Sequence, residues 1–333
     1  MEKNKPGDSE GGSAAIVIPC IQINPLVRRC VDECADKFPD AEIIVVVDTS
    51  DNSQDAATKA TIIVSGDQTI AAKRNLGVNN TSATYIGFID SDAYPEDGWL
   101  TNAIAALKGN RRIWAVGGPN VSPPEESLSE RFVGLALRSW IVSGNNNYRK
   151  FKAPARFCDD LPSCNLVVRR EDYVALGGMD EAIFTGEDID FCFRLRKSGG
   201  KILYTPDVLV YHKNRTMSLF INQRIVYGAA SWNIMSRTKS FSKIYLFLPA
   251  AFAVFLATGP LIAVFEPWKF LYAALVALYA ILILVETLRR SERVFDVPGV
   301  AVALLIGNLA PALGTLGLPL KLLPSLKSIY RNE

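Results

Sequence analysis

The sequence predicts an α/β domain followed by a small α-helical membrane domain. Short apolar runs alternate with helix-period segments as far as His212, several of those runs end on a carboxylate, and three long apolar stretches follow Thr216. Strands that are apolar throughout are buried on both faces, and their alternation with helices marks a mostly parallel α/β sheet.

Ala14–Pro19 is the first buried strand, stopped by Pro19. From Asn24 to Phe38, Leu26, Val27, Cys30, Val31 and Cys34 recur at helical spacing. Ala41–Asp48 is a second strand that ends on a carboxylate, and the polar run Thr49–Asp55 is a loop. Thr61–Ser65 is a short strand, and Gln68–Val78 is a helix bearing Lys73, Arg74 and Asn75. The next strand, Ala83–Ala93, closes on Asp90 and Asp92. Gly98–Lys108 reads as a helix, Arg112–Gly118 as a strand, Leu128–Ile141 as a helix and Ser143–Tyr148 as a mobile Asn-rich loop. Leu161–Arg169 is a strand, and Arg170–Leu176 is a short helix ended by Gly177 and Gly178. The helix after Gly186 carries Glu187, Asp188 and Asp190 in its first turn, where the positive end of the helix dipole favours acids. Lys201–Thr205 and Val208–Tyr211 are the last strands of the same sheet, with His212 directly after. Ligands of such sheets bind beyond the carboxyl ends of the strands, where Pro19, Asp48, Asp90 and Asp92 fall.

A net charge of +2 over 333 residues argues against a nucleic-acid binder. The six cysteines form no CxxC pair and His212 is the single histidine, so no Cys/His zinc site is expected and the thiols read as reduced. Residues 1–13 are polar and Gly-rich, without the apolar core of a signal peptide, and read as a disordered tail. Residues 14–216 form the α/β domain, and residues 217–240 mix apolar and basic positions as an interfacial helix and linker. Residues 241–333 hold apolar runs at about 244–265, 267–286 and 297–320. Each approaches the ~20 residues that span a bilayer. Lys239 and Lys243 before the first run, and Arg289, Arg290 and Arg293 after the second, lie on one side of a two-span hairpin. Positive charge marks the cytoplasmic side, which puts the α/β domain in the cytoplasm. A third crossing would leave Lys321, Lys327 and Arg331 outside. The third run, interrupted by Gly307, Pro311, Gly314 and Gly317, therefore either crosses or re-enters.

Asp90 and Asp92 either cap a turn or hold a hard divalent cation, Mg2+ or Mn2+, of the kind shared with substrate phosphates. His212 is either a further ligand or a structural residue. Glu187 and Asp188 either cap their helix or supply a general base that is not tied up by the metal. Lys73 and Arg74 pair with diphosphate oxygens or form a solvated face, and Asp48 accepts from a nucleoside or caps its turn.

Taken in order, Ile16-Val-Ile-Pro19, Val47-Asp48, Lys73-Arg-Asn-Leu-Gly77, Phe88-Ile-Asp-Ser-Asp92, Ser163-Cys-Asn-Leu-Val-Val-Arg169 with Gly177-Gly178-Met-Asp180, and Gly186-Glu-Asp188 form a familiar series. The chain from Ala14 to Thr216 resembles the family 2 inverting glycosyltransferases, in their membrane-anchored, non-processive branch. The resemblance implies a Rossmann-like GT-A catalytic domain, a nucleotide-diphospho-sugar donor and a divalent cation. By position, Pro19, Asp48 and Asp90 would face the nucleoside, and Lys73 and Arg74 the diphosphate. Asp92 would hold the metal, with Asp90 and His212 as further contacts. Asp188 would be the catalytic base and Glu187 would orient the acceptor. Two departures stand out: Thr49 replaces the usual second acid after Asp48, and Gln223-Arg-Ile-Val-Tyr227 lacks the Arg-Trp ending of the processive QxxRW motif. The second favours addition of a single sugar. Together with the apolar runs, the resemblance implies a polyprenyl-linked saccharide acceptor at the cytoplasmic face of the cell membrane. The alternatives are a synthase that glycosylates polyprenyl phosphate itself, and a membrane-anchored sugar-nucleotide-binding assembly protein without turnover. The sequence does not specify an oligomeric state.

Overall fold

An apolar run with no polar face can satisfy its backbone only inside a sheet and its side chains only between two covering layers. The computed structural model, which describes residues 12–49, 59–238, 241–266 and 268–317, places the apolar runs of the N-terminal half in such a sheet. The polar tail up to residue 11, the loop at 50–58, the side chains of Lys239 and Lys243, and the basic residues Lys321, Lys327 and Arg331 lie outside what is described. The chain divides into two compact units, Met1–Asn120 with Pro154–His212, and Val121–Ala153 with Lys213–Glu333.

The elements run β1 (Ala14–Pro19), α1 (Pro25–Lys37), β2 (Glu42–Val47), β3 (Thr61–Val64), α2 (Ile70–Asn79), β4 (Tyr85–Ile89), β5 (Ala93–Pro95), α3 (Trp99–Gly109), β6 (Ile113–Gly117) and β7 (Asn120–Val121). After α4 (Leu128–Leu137), α5 (Trp140–Ser143) and a 3-10 segment (Gly144–Lys150) come β8 (Arg156–Cys158), β9 (Asn165–Arg169), α6 (Arg170–Ala175), α7 (Glu187–Lys197), β10 (Lys201–Tyr204) and β11 (Val210–His212). The C-terminal part holds α8 (Met217–Thr238), a second 3-10 segment (Phe241–Phe247), α9 (Leu248–Ile262), α10 (Trp268–Arg290) and α11 (Asp296–Thr315).

In the first unit the strands form an eight-stranded sheet in the order β3-β2-β1-β4-β9-β6-β10-β8. β1 pairs in parallel with both β2 and β4, and β2 with β3, so the carboxyl ends of four neighbouring strands open on one edge. β9 runs antiparallel between β4 and β6, which makes the sheet mixed. Helix α1 starts where Asn24 accepts from the N–H groups of Leu26 and Val27, with Pro25 at the first helical position. It buries Val27, Cys30, Val31 and Cys34, the residues whose spacing predicts it. Helix α2 lies on β1 closely enough that a Cβ on Gly77 would fall 2.5 Å from the Val17 side chain.

Three short strands, β5, β7 and β8, escape the sequence reading. β5 and β11 pair in a separate three-stranded sheet with β7, and β8 closes the large sheet against β10. The expectation that His212 follows a strand of the main sheet is therefore corrected. It is the last residue of β11, set opposite Ala93 in the small sheet. Three-residue strands carry no usable periodicity, and their register comes from long-range pairing.

In the second unit the helix expected over Leu128–Ile141 breaks at Ser139, whose hydroxyl caps α5, and the stretch expected to be a mobile loop is a 3-10 segment. Helix α4 opens with a capping box between Ser127 and Glu130. Its Arg131 pairs with Asp296 at the start of α11, which groups residues 121–153 with the C-terminal helices. Among the described residues, three segments are long and apolar enough to cross a membrane: Ile244–Leu261, Trp268–Arg290 and Asp296–Thr315. The glycines of the third do not break it. Gly314 faces the backbone of Ile225 and Ala229, Gly307 faces Val142, and α11 continues to Thr315, with Gly317 just beyond its cap at a φ of +70°.

Candidate active site

The site assembles where β4 ends. Asp90 follows the strand directly, and Asp92 lies two residues on, just before β5. Because β11 pairs with β5 so that His212 opposes Ala93, the imidazole is delivered to both carboxylates. His212 Nε2 lies 3.7 Å from an Asp90 oxygen and 3.5 Å from an Asp92 oxygen. Burial works against a charged ring there, but Asp92 and Asp90 outweigh it and hold the imidazole well above its usual pKa. Two donors on a common cation, at ~2.1 Å each, stand about 3.0–3.4 Å apart. Each carboxylate oxygen needs only a few tenths of an ångström of closure to share a cation with His212, whereas the group whose ligand atoms all stand within 4.8 Å of one another is Asp90, Cys164 and His212, without Asp92. Two carboxylates with one imidazole suit Mn2+ well and Mg2+ less well, so the residues fit the cation that the fold implies.

Behind this edge, α2 presents two buried cations. Lys73 and Arg74 are 1% and 2% exposed, which excludes a solvated face. Lys73 is ion-paired to Asp48 and donates to the Cys20 carbonyl at 2.7 Å, beside Pro19 at the end of β1. Arg74 donates from one terminal nitrogen to Asp90 at 2.7 Å and from the other to Glu187 at 2.8 Å. It thus joins the acidic pair after β4 to the acidic turn of α7. Burial alone would raise the Asp90 carboxyl. His212 and Arg74 overcome it and hold the group down at about 2.

Helix α7 begins at Gly186, whose φ of +91° is a conformation that glycine adopts without strain. The tight entry turns Glu187 toward Arg74 and leaves Asp188 accepting at 3.3 Å from the Ser163 N–H and at 2.8 Å from the Ile189 N–H. Burial, followed by repulsion from Glu187, raises Asp188 to about 7 despite Arg74. Asp190, the third acid of that turn, is paired with Arg194 at 2.8 Å. Arg194 also donates to the carbonyls of Leu176 and Gly178 and so fixes the approach to α7.

Every residue singled out in the sequence thus lies at or beside this one edge. Several partners went unnoticed. Asn75 accepts from Tyr173 and from the Met179 N–H, and donates to Glu181, which pins the Gly177–Met179 turn to α2. Asn165, fully buried, receives the Trp99 indole N–H at 2.8 Å and donates to the Val208 carbonyl at 2.8 Å. Asp160 adds negative charge beside Asp188. Cys164 lies with Asp90 and His212, their ligand atoms all within 4.8 Å of one another. Asn75, named in the sequence beside Lys73 and Arg74, Asn165 and Cys164 stand inside motifs already quoted, whereas Asp160, Trp99, Tyr173 and Glu181 stand outside them and gave no sequence signal.

Residues 15–174 match the family described as Glycosyl transferase family 2. The chain is 30% identical over 169 residues to the pre-mycofactocin glycosyltransferase of Mycobacterium tuberculosis, a match covering 48% of this chain and 34% of that protein. It therefore spans about a third of that relative's length. It is 25% identical over 224 residues to a dolichyl N-acetyl-alpha-D-glucosaminyl phosphate 3-beta-D-2,3-diacetamido-2,3-dideoxy-beta-D-glucuronosyltransferase of Methanococcus voltae, covering 65% of this chain and 64% of that one. A mannosyltransferase of Pyrobaculum calidifontis, solved with GDP-Man and Mn2+, superposes with a TM-score of 0.61 over 94% of this chain and 90% of its own, at 17% identity, which is a likeness of fold. With its mixed GT-A-like sheet and its ordered acidic motifs, the chain carries a glycosyltransferase family 2 domain over residues 15–174.

Proposed function

We propose that this protein transfers one sugar, with inversion, from a nucleotide-diphospho-sugar to a membrane-associated, polyprenyl-linked saccharide. The observation that carries this reading is the bridge made by Arg74. It supports the reading because it ties Asp90, the neighbour of Asp92 and His212, to Glu187, the neighbour of Asp188, whose carboxyl is raised to about 7. Asp188 takes the proton of the acceptor hydroxyl as its oxygen attacks the anomeric carbon. The bond from that carbon to the diphosphate oxygen breaks on the opposite face, and its electron pair leaves with the nucleoside diphosphate. A base titrating near 7 suits this task at neutral pH. Glu187, held by Arg74, orients the acceptor. Asp48 and Asp90, beside Pro19, face the nucleoside. Asp92, with Asp90 and His212, would hold a divalent cation, which when bound would supply Lewis-acid neutralisation of the departing diphosphate. Lys73 and Arg74, both engaged by site carboxylates, act on the diphosphate by fixing those carboxylates.

The name of the Methanococcus voltae relative, which specifies a dolichyl-linked sugar phosphate, supports a lipid-linked acceptor. The chain lies in the cell membrane through α9 and α10, with the first unit in the cytoplasm. Helix α11 differs from those two. Its apolar window is 44% buried, against 11% and 17% for the others, and it lies along α8, whose Arg224 reaches Gly307 midway down α11. An arginine held at mid-span depth costs several kcal/mol. We read α11 as lying with α8 on the cytoplasmic side, without crossing.

The test is incorporation of label from UDP-, GDP- and dTDP-sugars into a polyprenyl lipid extract in the presence of Mn2+. Metal-dependent label in the lipid fraction is expected. Label retained in full by Asp188→Asn would favour lipid phosphate, already ionised, as the acceptor. Absence of label across the donor panel would leave a binding protein without turnover.

A further inference from the structure

The sequence offers no CxxC pair and a single histidine, and so argues against any thiolate-bearing metal site. The sheet register brings one together. β4 and β9 are antiparallel with Ile89 opposite Asn165, so the residue after Ile89 and the residue before Asn165 are neighbours: Asp90 and Cys164. β11 delivers His212 to the same point from the other side. One ligand atom from each of Asp90, Cys164 and His212 falls within 4.8 Å of the other two. Cys164 is 8% exposed and is a free thiol. Its sulfur accepts from Asn120 Nδ2 at 3.3 Å. Asn120 is itself buried, and its Oδ1 has no hydrogen-bond partner. The amide is thus turned to donate toward the sulfur, at the cost of its own carbonyl. An N–H aimed at sulfur stabilises a thiolate, as groups behind a metal ligand commonly do.

We propose that Cys164 is a ligand of the cation site formed with Asp90, Asp92 and His212, so that this site takes thiophilic divalent cations (Co2+, Zn2+, Cd2+) in preference to Mg2+. The inference rests on the reading that those three residues hold the donor's cation. Soft sulfur and imidazole suit these borderline cations, whereas Mg2+ takes oxygen donors and holds its waters. As the metal–sulfur bond forms, the thiol S–H bond breaks and its proton leaves to the buffer. Cys158 and Cys192 lie away from the cluster and serve as controls.

The test is titration of the full-length protein with Co2+, in the presence of UDP or GDP, read by absorbance and calorimetry. Wild type should bind Co2+ with a sulfur-to-cobalt charge-transfer band in the near ultraviolet. Cys164→Ser should lose the band and bind Co2+ about tenfold or more weakly, with Mg2+ binding unchanged and Cys158→Ser behaving as wild type. Cys164→Ala gives the same readings if serine disturbs packing. Co2+ binding to wild type without the band would overturn the role of Cys164 and leave the cation site standing. No binding of Co2+, Mn2+ or Mg2+ would overturn the cation site itself, and Cys164 with it.

Discussion

A carboxylate buried beside a second carboxylate titrates late, and Asp188 is such a group, raised by burial and by Glu187 from its ordinary 3.8 to about 7. The raised value fixes the sign of two effects. Transfer to a hydroxyl acceptor should rise as pH climbs through about 7, when Asp188 becomes the base, and initial rates across pH 5.5 to 8.5, on a scale of about three units, should show that limb. In stability the sign reverses. The raised pKa favours the folded state below about 3.8, and that advantage is lost as pH rises through about 7. Asp188→Asn should therefore abolish activity yet stabilise the protein at alkaline pH, on the order of 2 kcal/mol, with little gain at acid pH. Equal melting shifts for this variant on both sides of neutrality would remove the case for a buried, late-titrating base. Arg74 has the opposite character, a buried cation between two acids. Replacing it with Met strands Asp90 and Glu187 and should cost on the order of 3–5 kcal/mol of stability, read by chemical denaturation. Arg74→Lys keeps the charge but cannot span both partners, and should fold while losing most activity.

Among the elements, α11 shows how a sequence signal can be correct in kind and incomplete in consequence. Pro311 has no N–H, so the carbonyl four residues back, on Gly307, has no donor within the helix. Arg224 of α8 supplies it, donating to Gly307 at 2.9 and 3.1 Å and also to Val142 at 3.2 Å. No carboxylate pairs with Arg224 among the described residues, and burial lowers its guanidinium to about 10. The helices approach closely because Gly228 meets the Pro311 carbonyl and Gly314 meets the Ile225 carbonyl, at places where a Cβ would fall within 2 Å. Arg224→Met should destabilise the second unit by about 1–3 kcal/mol. Pro311→Ala restores the helical donor, so the same change should cost measurably less in that background. A double-mutant cycle with no coupling would show that Arg224 is not serving this carbonyl. The sequence displays Pro311 and the glycines and suggests a break. What it hides is a donor 87 residues away from Pro311, because such pairings are set by packing and not by local pattern.

At the scale of the whole chain, the order of strands and helices and the edge where Asp48, Asp90 and Asp92 emerge were legible, because each rests on a local run of apolar residues and its stop. The acidic pairs and the Lys73-Arg74-Asn75 triplet were legible as motifs. Their partners were not. His212 reaches Asp92 only through the pairing of two three-residue strands, and Arg74 meets Glu187 across 113 residues of sequence. The Arg131–Asp296 pair that joins α4 to α11 is more remote still, across 165 residues. The membrane reading also makes its prediction at this scale. Reporter fusions after the C-terminus and before β1 should both report the cytoplasm, and one inserted between α9 and α10 the outside. A C-terminal reporter on the outside would mean that α11 crosses.

The central claim is a metal-assisted sugar transfer in which Asp92 serves the donor's cation and Asp188 the acceptor. The most direct measurement is transfer of labelled sugar to polyprenyl lipid by wild type, Asp92→Asn and Asp188→Asn, each with Mn2+ and with chelator, alongside Mn2+ binding by the same proteins. Label is expected for wild type with Mn2+ only, with weakened Mn2+ binding in Asp92→Asn and intact Mn2+ binding without transfer in Asp188→Asn. Full transfer in chelator, or by Asp92→Asn, would contradict that claim.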